Sequence, residues 1–402
     1  MFVLTINCGS SSIKFQLYQM PEEDLFAQGS ASKAGNGNTV FSFRSDDYRT
    51  EEELKAFSYR QNLERILNTF VDTPKPVLDS LHQINVIGHR LIHGGEEGAG
   101  SVEITSELIE TMKKNISLAP LHYPANLEGI EVTRELMPGV LQAGVFDTAF
   151  HQTLPSKAFL YGIPLEWYQK YKIRRYGFHG TSHKYASSRA CILAGLDFEK
   201  SRVVCCHLGN GASVAAIMNG ESVDTSMGMT PAEGLIMGTR SGDIDAGVLI
   251  HLQQNFGLST GELQDLVNNQ GGLLGLSGCS ADYRIVEQEA EKGDEASKIA
   301  LEVYHYRIKK YIGAYAAALG GLDLLVFTGG VGENSSETRL TVCRKMEFLG
   351  IRLSEEKNLH AKGIEALIQD TNSRVKIAAI PAREELAIAR EVAALARKKS
   401  DT

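Results

Sequence analysis

Backbone amides, hydroxyl groups and one ammonium group are concentrated in a short turn near the start of the chain. Residues 3–6 favour a strand, residues 7–14 read Asn-Cys-Gly-Ser-Ser-Ser-Ile-Lys, and residues 15–18 favour a second strand. The pattern predicts a β-hairpin whose turn presents Ser10, Ser12 and Lys14. Amides in such a turn can surround an anion and a lysine adds a positive charge, so the turn suits a polyphosphate. A turn that only joins two strands remains the alternative for these residues taken alone.

Two further glycine-rich turns follow predicted buried strands. Residues 207–213 read His-Leu-Gly-Asn-Gly-Ala-Ser, and residues 328–334 read Thr-Gly-Gly-Val-Gly-Glu-Asn. The first can again present amides to phosphate, and the second allows a flat ligand such as adenine to approach the backbone. A glycine hairpin with a hydrogen-bonded histidine and a simple tight turn are the respective alternatives. The sequence has no GxxxxGK[ST] motif, and no GxGxxG motif follows a predicted strand, so neither of those phosphate sites is used.

Isolated charged residues and a histidine lie beside glycines or at the ends of predicted strands. They are Arg90, Asp147, His179 and Arg240. Each one taken alone reads more readily as a structural residue, but together they favour a preorganised site for anions. Phosphoryl transfer needs such a set, because the equatorial oxygens of the moving group require fixed cations and hydrogen-bond donors. Arginine supplies a planar fork for phosphate or carboxylate, and histidine supplies a single directional donor.

Predicted strands and helices alternate along most of the chain, which indicates an α/β fold. The predicted strands cover residues 84–92, 140–147, 202–206, 214–218, 322–328 and 374–380, with further hairpin structure in 29–48. The predicted helices cover residues 51–70, 106–115, 125–136, 294–319 and 384–397. The strand, turn, strand pattern of residues 3–18 recurs at 202–218, which indicates two related halves. No Pro- or Ser-rich linker separates these halves, so we expect a cleft between packed domains.

The bulk composition is that of an ordinary globular protein. The chain has 402 residues, 43% hydrophobic and 22% charged, and its net charge of −8 argues against nucleic acid as the main partner. Its six cysteines form no CxxC pair and no zinc-type spacing, so we expect reduced thiols. No apolar stretch approaches the roughly 18 residues of a membrane span, and the N-terminus lacks the basic flank of a secretory signal. We therefore expect a cytoplasmic protein with no membrane partner.

Residues 3–14 and the two later glycine-rich turns resemble the two phosphate loops and the adenosine loop of the acetate and butyrate kinases. That family belongs to the superfamily of sugar kinases, actin and heat-shock chaperone ATPases, and the resemblance runs from residue 3 to about residue 390. It implies two related actin-like ATPase domains, a duplicated ribonuclease H-like fold, with a cleft between them. It also implies that residues 1–148 plus 384–402 bind the acyl group and phosphates, and that residues 149–383 bind the nucleotide.

The activity implied by this resemblance is that of an acetate kinase. Such an enzyme transfers the γ-phosphoryl group of ATP directly and in line to acetate, giving acetyl phosphate and ADP, reversibly and with Mg²⁺. Mn²⁺ is the alternative metal. The partners are then small molecules, and the resemblance further implies a cytoplasmic homodimer that contributes to acetyl-CoA biosynthesis.

The resemblance also assigns roles to residues that match the motifs of the family. The catalytic residues are Asp147, His179 and Arg240. The acyl substrate is bound by Arg90, which holds its carboxylate, and by Ile92, Leu121, His122, Phe178 and Pro231. ATP is bound by Ser10, Ser12, Lys14, His207, Leu208, Gly209, Asn210, Gly211, Asp282, Tyr283, Arg284, Gly330, Val331, Gly332, Glu333 and Asn334. The metal is bound by Asn7 and Glu384.

Glu384 is chosen over its neighbour Glu385 because it is the first residue of the Glu-Glu-Leu run of the family. Arg383 stands where the family often has asparagine, which bears on the local metal geometry. Asp147 raises a separate chemical question. Acetic acid is fully ionised at neutral pH, so acetate is already the nucleophile and needs no general base. We therefore expect Asp147 to position the metal or the substrate rather than to abstract a proton.

The sequence alone leaves several other activities open. The same chemistry on propionate or butyrate is the nearest, although Ile92, where many relatives carry valine, narrows the expected methyl pocket and favours acetate. A sugar kinase can use Asp147 as its base, but Arg90 and His179 do not suit a neutral sugar. A chaperone-like ATPase needs an appended peptide-binding domain, for which the two halves leave no residues. A non-catalytic nucleotide-gated binding protein is the remotest alternative.

Overall fold

The computed structural model describes residues 1–35, 37–96, 98, 100–114, 116 and 123–400. The chain divides into two compact units: unit 1 comprises Met1–Ala149 and Arg383–Thr402, and unit 2 comprises Phe150–Ala382. The described strands are β1 (Phe2–Gly9), β2 (Ser12–Gln19), β3 (Asp24–Lys33), β4 (Thr39–Ser45), β5 (Arg49–Leu54), β6 (Ile84–Leu91), β7 (Ser101–Glu103), β8 (Leu141–Phe146), β9 (Arg202–Leu208), β10 (Ala212–Met218), β11 (Glu221–Thr225), β12 (Leu324–Thr328), β13 (Ala366–Leu367) and β14 (Lys376–Ala379). The described α-helices are α1 (Tyr59–Val71), α2 (Ser106–Lys114), α3 (Tyr123–Leu136), α4 (Ser156–Phe159), α5 (Glu166–Tyr171), α6 (Gly180–Ala194), α7 (Ala246–Phe256), α8 (Thr260–Asn268), α9 (Gly272–Ser277), α10 (Tyr283–Glu291), α11 (Glu295–Ala318), α12 (Gly329–Asn334), α13 (Ser336–Cys343), α14 (Glu355–Leu359) and α15 (Glu384–Ser400).

A sheet with the strand order β5-β4-β3-β2-β1-β6-β8-β7 forms the centre of unit 1. β1 and β2 form the predicted antiparallel hairpin, β6 runs parallel to β1, and β8 runs parallel to β6. Helices α1 and α3 share a buried core with this sheet, which includes Leu4, Phe15 and Phe70. Helix α15 packs on β6, and Gly88 permits the contact, because a Cβ atom there would lie 2.9 Å from Cγ2 of Ile388.

Unit 2 is built on a sheet with the strand order β11-β10-β9-β12-β14-β13. β9 pairs antiparallel with β10 and parallel with β12, which in turn runs parallel to β14. Helices α6 and α11 pack on this sheet. β12 is buried at every position from Leu324 to Thr328, as expected for a strand covered on both faces.

The two sheets share one arrangement of strands. In unit 1 the series β3-β2-β1-β6-β8 has two antiparallel pairs followed by two parallel pairs, and in unit 2 the series β11-β10-β9-β12-β14 repeats that order. This repetition confirms the prediction of an α/β protein with two related halves of ribonuclease H-like topology. None of the described helices is both long enough and apolar enough to cross a membrane.

The sequence predicts one helix over residues 51–70, and the first part of this prediction is wrong. β5 occupies Arg49–Leu54, and α1 begins only at Tyr59. The acidic run pairs antiparallel with β4 as the edge strand of the sheet. Ser58 then caps α1 by accepting a hydrogen bond from the N–H of Gln61, which places the start of the helix.

The third glycine-rich segment also differs from its prediction. The sequence predicts a turn over residues 329–334, whereas these residues form the short helix α12 directly after β12. Gly329 enters the helix with φ +79°, in the left-handed region that favours glycine. A Cβ atom at Gly329 would also lie 2.8 Å from the carbonyl oxygen of Leu208, so the two glycine-rich segments are in close backbone contact.

Candidate active site

Arg90 and Asp147 meet at the carboxyl ends of two neighbouring strands of unit 1. Arg90 is the penultimate residue of β6 and Asp147 directly follows β8. These strands run parallel, so their carboxyl ends lie side by side. The Nε and Nη2 groups of Arg90 donate to the two carboxylate oxygens of Asp147 over 2.9 and 2.7 Å. The buried aspartate thereby holds one edge of the guanidinium.

A second carboxylate, that of Glu384 at the start of α15, lies 3.4 Å from Nη1 of Arg90. Burial disfavours the charge of Arg90, but Asp147 and Glu384 outweigh this effect and raise the pKa of the guanidinium. The next residue, Glu385, has a pKa raised by its own burial and then by the charge of Glu384. Unit 1 therefore holds a charged arginine between two carboxylate side chains.

The opening hairpin carries four of the predicted ligand-binding residues around a tight turn. Asn7 pairs with Lys14 in the β1–β2 register. Ser10 and Lys14 are exposed, whereas Ser12 is partly buried. The structure thus brings these residues to one end of a single hairpin, where hydroxyl and ammonium groups can reach a ligand.

Two side chains hold the backbone of this turn in place. Tyr59 donates its hydroxyl to the Gly9 carbonyl over 2.5 Å, and Asn126 donates Nδ2 to the Cys8 carbonyl over 2.9 Å. The Cys8 thiol is buried, and burial raises its pKa to about 12. This thiol is therefore a packing group rather than a nucleophile.

Ile92 directly follows β6 and is partly buried. Its N–H donates to Oδ1 of Asn126 over 3.3 Å, and its side chain packs against a core cluster that includes Ile104. The structure therefore agrees with a substrate contact of Ile92 and also with a purely structural role. The other two predicted substrate residues of unit 1, Leu121 and His122, lie outside the described residues.

The second glycine-rich turn joins β9 to β10 in unit 2. The N–H of Gly209 donates to the carbonyl of Gly211 over 3.0 Å and closes the turn. A Cβ atom at Gly211 would lie 3.5 Å from both Nη1 of Arg240 and Nε2 of His179. Gly211 therefore marks a position where one ligand group can touch a guanidinium, an imidazole and the backbone together.

Arg240 carries a partly buried guanidinium that has no acidic partner among the residues that the structure describes. Its Nη1 donates to the Pro231 carbonyl over 3.3 Å and contacts Sδ of Met237 at 3.8 Å. Burial lowers the pKa of Arg240, and no carboxylate offsets this effect. By contrast, Nη2 of the partly buried Arg175 lies 2.5 Å from a carboxylate oxygen of Glu233. A buried cation without a partner is costly, so Arg240 indicates an anionic ligand.

His179 directly precedes helix α6, with its backbone in the left-handed region at φ +59°. Its ring stacks on that of His207 with 4.2 Å between the ring centroids, and its Nδ1 lies 2.9 Å from Oγ of Ser213. His207 in turn lies 2.8 Å from Oγ of Ser182 through its own Nδ1. Non-glycine residues adopt this backbone conformation infrequently, and such strain is concentrated at functional sites.

Phe178 is buried, and its carbonyl accepts a hydrogen bond from Nε2 of His151 over 3.0 Å. Since a carbonyl only accepts, the proton of His151 is on Nε2, and Nδ1 accepts from Ser222 over 2.7 Å. Burial lowers the pKa of His151 to about 4, so this imidazole is neutral at neutral pH. His151 therefore anchors the backbone one residue before His179, a role that the sequence reasoning missed.

A cavity of about 920 Å³ opens in unit 2 at the second and third glycine-rich segments. The predicted ATP-binding residues that line it are Gly209, Asn210, Asp282, Tyr283, Arg284, Gly330, Val331 and Asn334. The predicted residues that do not line it are His207, Leu208, Gly211, Gly332 and Glu333 in unit 2, and Ser10, Ser12 and Lys14 in unit 1. The structure therefore gathers α12, the start of α10 and the middle of the second turn around one volume.

The sequence reasoning also missed residues that line this cavity, namely Gly238, Leu273, Ser280, Ala281, Glu287, Ser335 and Lys362. Gly238 has a signal in the sequence, a glycine two residues before Arg240, and the structure shows why it is glycine, because a Cβ atom there would lie 2.0 Å from Oδ1 of Asn210. Glu287 lies three residues after Arg284 on α10, so helical spacing places it on the same face. Lys362 is brought to the cavity only by the fold and carries no local signal.

A model of the acetokinase family matches residues 2–390. The chain belongs to the acetokinase family. The acetate kinase of Thermotoga maritima is 49% identical over 400 residues, which are 99% of this chain and 99% of that protein. Among solved structures, the acetate kinase of Porphyromonas gingivalis has a TM-score of 0.92 at 46% identity and covers 98% of this chain and 99% of its own. A propionate kinase from Francisella tularensis subsp. tularensis has a TM-score of 0.90 at 40% identity and covers 97% and 98%.

As a member of the acetokinase family, the chain is a phosphotransferase that uses ATP and ADP as substrates. This confirms the family resemblance drawn from residues 3–14 and the later glycine-rich segments. The arginine–aspartate pair of unit 1 and the cavity of unit 2 are therefore features of an acetokinase-family enzyme.

Proposed function

We propose that the chain is an acetate kinase, which transfers the γ-phosphoryl group of ATP directly to acetate and catalyses the reverse reaction. The observation that carries this proposal is the guanidinium of Arg240, which lacks an acidic partner among the described residues and lies with His179 at Gly211. In the transition state, the phosphoryl group that is transferred spreads its charge over three equatorial oxygens. A cation and an imidazole at a glycine-rich turn beside a nucleotide-sized cavity provide donors that are in place before the group arrives.

At the acyl end, we assign the substrate carboxylate to Arg90. Asp147 occupies the Nε and Nη2 donors, so the proposed substrate carboxylate uses the edge formed by Nη1 and the second N–H of Nη2, and it shares Nη1 with Glu384, which lies 3.4 Å from that nitrogen. The other proposed contacts to the acyl group are Ile92, Leu121, His122, Phe178 and Pro231. In this proposal residues 1–148 plus 384–402 form the acyl- and phosphate-binding domain.

Asp147 acts here as a positioning residue. Both of its carboxylate oxygens accept hydrogen bonds from Arg90, so its lone pairs already stabilise a cation. Acetate is ionised before it binds, so the forward reaction requires no proton transfer. The contribution of Asp147 is then to orient the guanidinium that orients the nucleophile.

The nucleotide occupies the cavity of unit 2 in this proposal, which makes residues 149–383 the nucleotide-binding domain. A volume of about 920 Å³ suits a ligand of this size. The segment from Asp282 to Arg284 and helix α12 contact the adenosine, and the turn of residues 207–211 contacts the phosphates. Ser10, Ser12 and Lys14 of unit 1 are proposed as further phosphate contacts.

We assign Mg²⁺, with Mn²⁺ as the alternative, to Asn7 and Glu384. Amide and carboxylate oxygens are hard ligands, and Mg²⁺ in kinases is held by one or two side chains plus phosphate oxygens. Glu384 is preferred because it is the first residue of the Glu-Glu-Leu run of the family. The ion neutralises charge on the phosphates when bound.

We also propose a cytoplasmic homodimer whose acetyl phosphate feeds acetyl-CoA formation. Helix α7 supports the dimer, because it buries none of its residues in unit 2 although Val248, Ile250 and Phe256 are 42%, 53% and 68% exposed. Apolar surface of this kind marks interaction sites. Light scattering should show a monomer for Phe256→Asp and a dimer for Phe348→Asp, which alters a residue that is 76% exposed. A dimer in both variants would place the interface elsewhere.

Propionate kinase is the second candidate function, because the Francisella tularensis propionate kinase covers the chain as fully as the acetate kinases do. The two activities differ by one methylene group in the acyl pocket. In this proposal the Ile92 side chain narrows the pocket and so favours the smaller substrate. Butyrate kinase requires a larger pocket still and is the weaker candidate.

Hydroxylamine trapping tests the proposed reaction with the enzyme, ATP and Mg²⁺. Acyl phosphates react with hydroxylamine to coloured hydroxamates, whereas sugar phosphates and simple ATP hydrolysis give none. We expect a strong hydroxamate signal with acetate, a weaker signal with propionate and very little with butyrate. ATP consumption without any hydroxamate would contradict the assignment, and so would a signal that is largest with propionate.

A further inference from the structure

Ser213 joins two histidines in the interior of unit 2. Its Oγ lies 2.9 Å from Nδ1 of His179 and 2.8 Å from Nε2 of His183. Ser213 and His183 are both fully buried. His183 lies on α6 four residues after His179, so one turn of helix brings the two imidazoles to the same hydroxyl. None of the roles assigned above uses His183 or Ser213.

A hydroxyl group has one proton, and the buried Ser213 hydroxyl has no other acceptor among the described residues, so it donates to one of its two imidazole neighbours and accepts from the other. In the first arrangement, Nε2–H of His183 donates to Ser213, and Ser213 donates to Nδ1 of His179. In the second arrangement every bond is reversed, so that His179 donates to Ser213 through Nδ1–H. The two arrangements place the proton of a neutral His179 on opposite nitrogens.

The surroundings of His183 decide between these arrangements. Its Nδ1 is buried and has no hydrogen-bond partner among the residues that the structure describes. The first arrangement leaves Nδ1 as an unpaired acceptor, whereas the second requires a buried N–H group without an acceptor, which folded proteins avoid more strictly. Burial, together with the neighbouring His151 and His207, also lowers the pKa of His183 well below its usual value, so a doubly protonated His183 is disfavoured.

We infer that His183 and Ser213 form a relay that keeps the proton of His179 on Nε2, the nitrogen that faces Gly211. In this relay Nε2–H of His183 donates to Oγ of Ser213, and the Ser213 hydroxyl donates to Nδ1 of His179. The inference rests on the proposed function, because it concerns the donor that His179 offers to the transferring phosphoryl group. His183 and Ser213 are positioning residues, and the reversed tautomer would turn a lone pair toward the anion.

The kinetic test compares variants that break the relay with one that preserves its donor. Ser213→Ala and His183→Phe should lower kcat roughly 10- to 100-fold, the loss typical when the partner of an oriented histidine is removed. The KM for ATP should change by less than about 3-fold, since the donor acts mainly on the transition state. His183→Gln should recover most of kcat, because the glutamine amide nitrogen can replace Nε2–H as the donor to Ser213.

Thr225→Val is the matched control for these variants. The Thr225 hydroxyl is buried and donates to the carbonyl of Val214 over 3.2 Å, next to Ser213 but outside the relay. Its removal should lower the melting temperature as much as Ser213→Ala does and leave kcat unchanged. A Ser213→Ala enzyme with full kcat would overturn the inference, and so would a folded His183→Gln enzyme as impaired as His183→Phe.

A direct readout of the tautomer does not depend on the variants being active. Protein labelled with ¹⁵N-histidine should show His179 with an unprotonated Nδ1 and a protonated Nε2 in long-range ¹H–¹⁵N spectra at neutral pH. A protonated Nδ1 on His179 would overturn the relay. If the acetate kinase proposal itself is wrong, hydroxamate formation is absent in the wild type while this tautomer signature persists, so the two failures are distinguishable.

Discussion

Asp147 accepts two hydrogen bonds from one guanidinium, with Nε of Arg90 at 2.9 Å and Nη2 at 2.7 Å. A carboxylate engaged in this way orients its partner and is poorly placed to remove a proton from a third group. Glu384 lies on the remaining nitrogen at 3.4 Å, so the arginine is held from two sides before any substrate is present. The acyl end of the proposed reaction is therefore preorganised around Arg90.

Asp147→Asn tests this positioning role. The amide group of asparagine cannot accept both hydrogen bonds, so Arg90 loses its fixed orientation. We expect kcat/KM for acetate to fall at least about 100-fold, because even a small misplacement of a positioning group causes losses of this size. The loss should be equal at every pH. The measurement is the pH profile of the chemical step in single turnover. Loss of one limb of the wild-type profile in the variant would show that Asp147 transfers a proton.

Arg240→Met separates catalysis from stability. The variant removes a partly buried charge that has no acidic partner among the described residues, so we expect the melting temperature to stay the same or rise. Turnover should fall roughly 10²- to 10³-fold, while the affinity for ATP changes little, because the charge acts mainly in the transition state. Calorimetry and initial rates measure the two effects.

Arg175→Met is the matched control for Arg240→Met. Arg175 is also partly buried, but it is paired with Glu233 and donates to the carbonyls of Thr225, Ser226 and Met227. Its removal leaves Glu233 without a cation, with the Tyr161 hydroxyl as a remaining donor, and takes a donor from three carbonyls, so we expect a loss of about 3–5 kcal/mol in the free energy of unfolding. An equal loss in the free energy of unfolding in both variants would mean that Arg240 stabilises the fold rather than binding an anionic ligand.

The preference of the enzyme for one acyl chain length over another should depend on Ile92. Ile92→Ala should raise the ratio of kcat/KM for propionate to that for acetate by about 10-fold or more, because a methylene group in such a pocket is worth roughly 1–3 kcal/mol. Ile104→Ala removes a neighbour from the same core cluster and should lower the melting temperature without changing the ratio. An unchanged ratio in the Ile92 variant would assign its side chain to the core alone.

Stability should fall on mild acidification because several histidines are buried. Burial lowers the pKa of His89, His93 and His151 from 6.5 to about 4. Between these values the unfolded chain binds more protons than the folded chain, so the free energy of unfolding decreases as the pH falls from 6.5 towards 4. Each histidine contributes a slope of about 1.4 kcal/mol per pH unit within that window and none above it.

Urea unfolding of His151→Gln at pH 7, 6 and 5 checks this expectation. Its free energy of unfolding should depend less steeply on pH than that of the wild type, by about one proton per molecule. His251→Gln is the control, because His251 is exposed and its replacement should leave the slope unchanged. Equal slopes in all three proteins would show that His151 is not buried as a neutral imidazole.

Much of the fold is readable from local patterns in the chain. The opening hairpin, the strand ending near Arg90 and the long helix α11 have strong periodicity and clear boundaries, and each forms close to its predicted residues. The exception at residues 51–54 is instructive. Leu54 and Phe57 continue the helical spacing of α1, but pairing with β4 determines the conformation of the acidic run, and no local pattern reveals that partner.

The candidate site, like the fold, has features that can be predicted from the sequence and features that cannot. Single residues such as Arg90 and Arg240 stand out because charged side chains beside glycines are unusual, so they can be found in the sequence. Their partners cannot be found there, since the pairing of Arg90 with Glu384 joins positions almost 300 residues apart. The hydroxyl of Ser213 between two histidines and the approach of Lys362 to the cavity likewise arise only when the sheets assemble.

The most direct test of the central claim is the specificity constant of the purified wild-type enzyme, measured for acetate, propionate and butyrate with ATP and Mg²⁺. The reverse reaction, with acetyl phosphate and ADP, is measured on the same preparation. We expect kcat/KM for acetate to exceed that for propionate by about 10- to 200-fold and ATP to form from acetyl phosphate. A specificity constant for propionate equal to or above that for acetate, or no ATP in the reverse direction, would contradict the assignment as an acetate kinase.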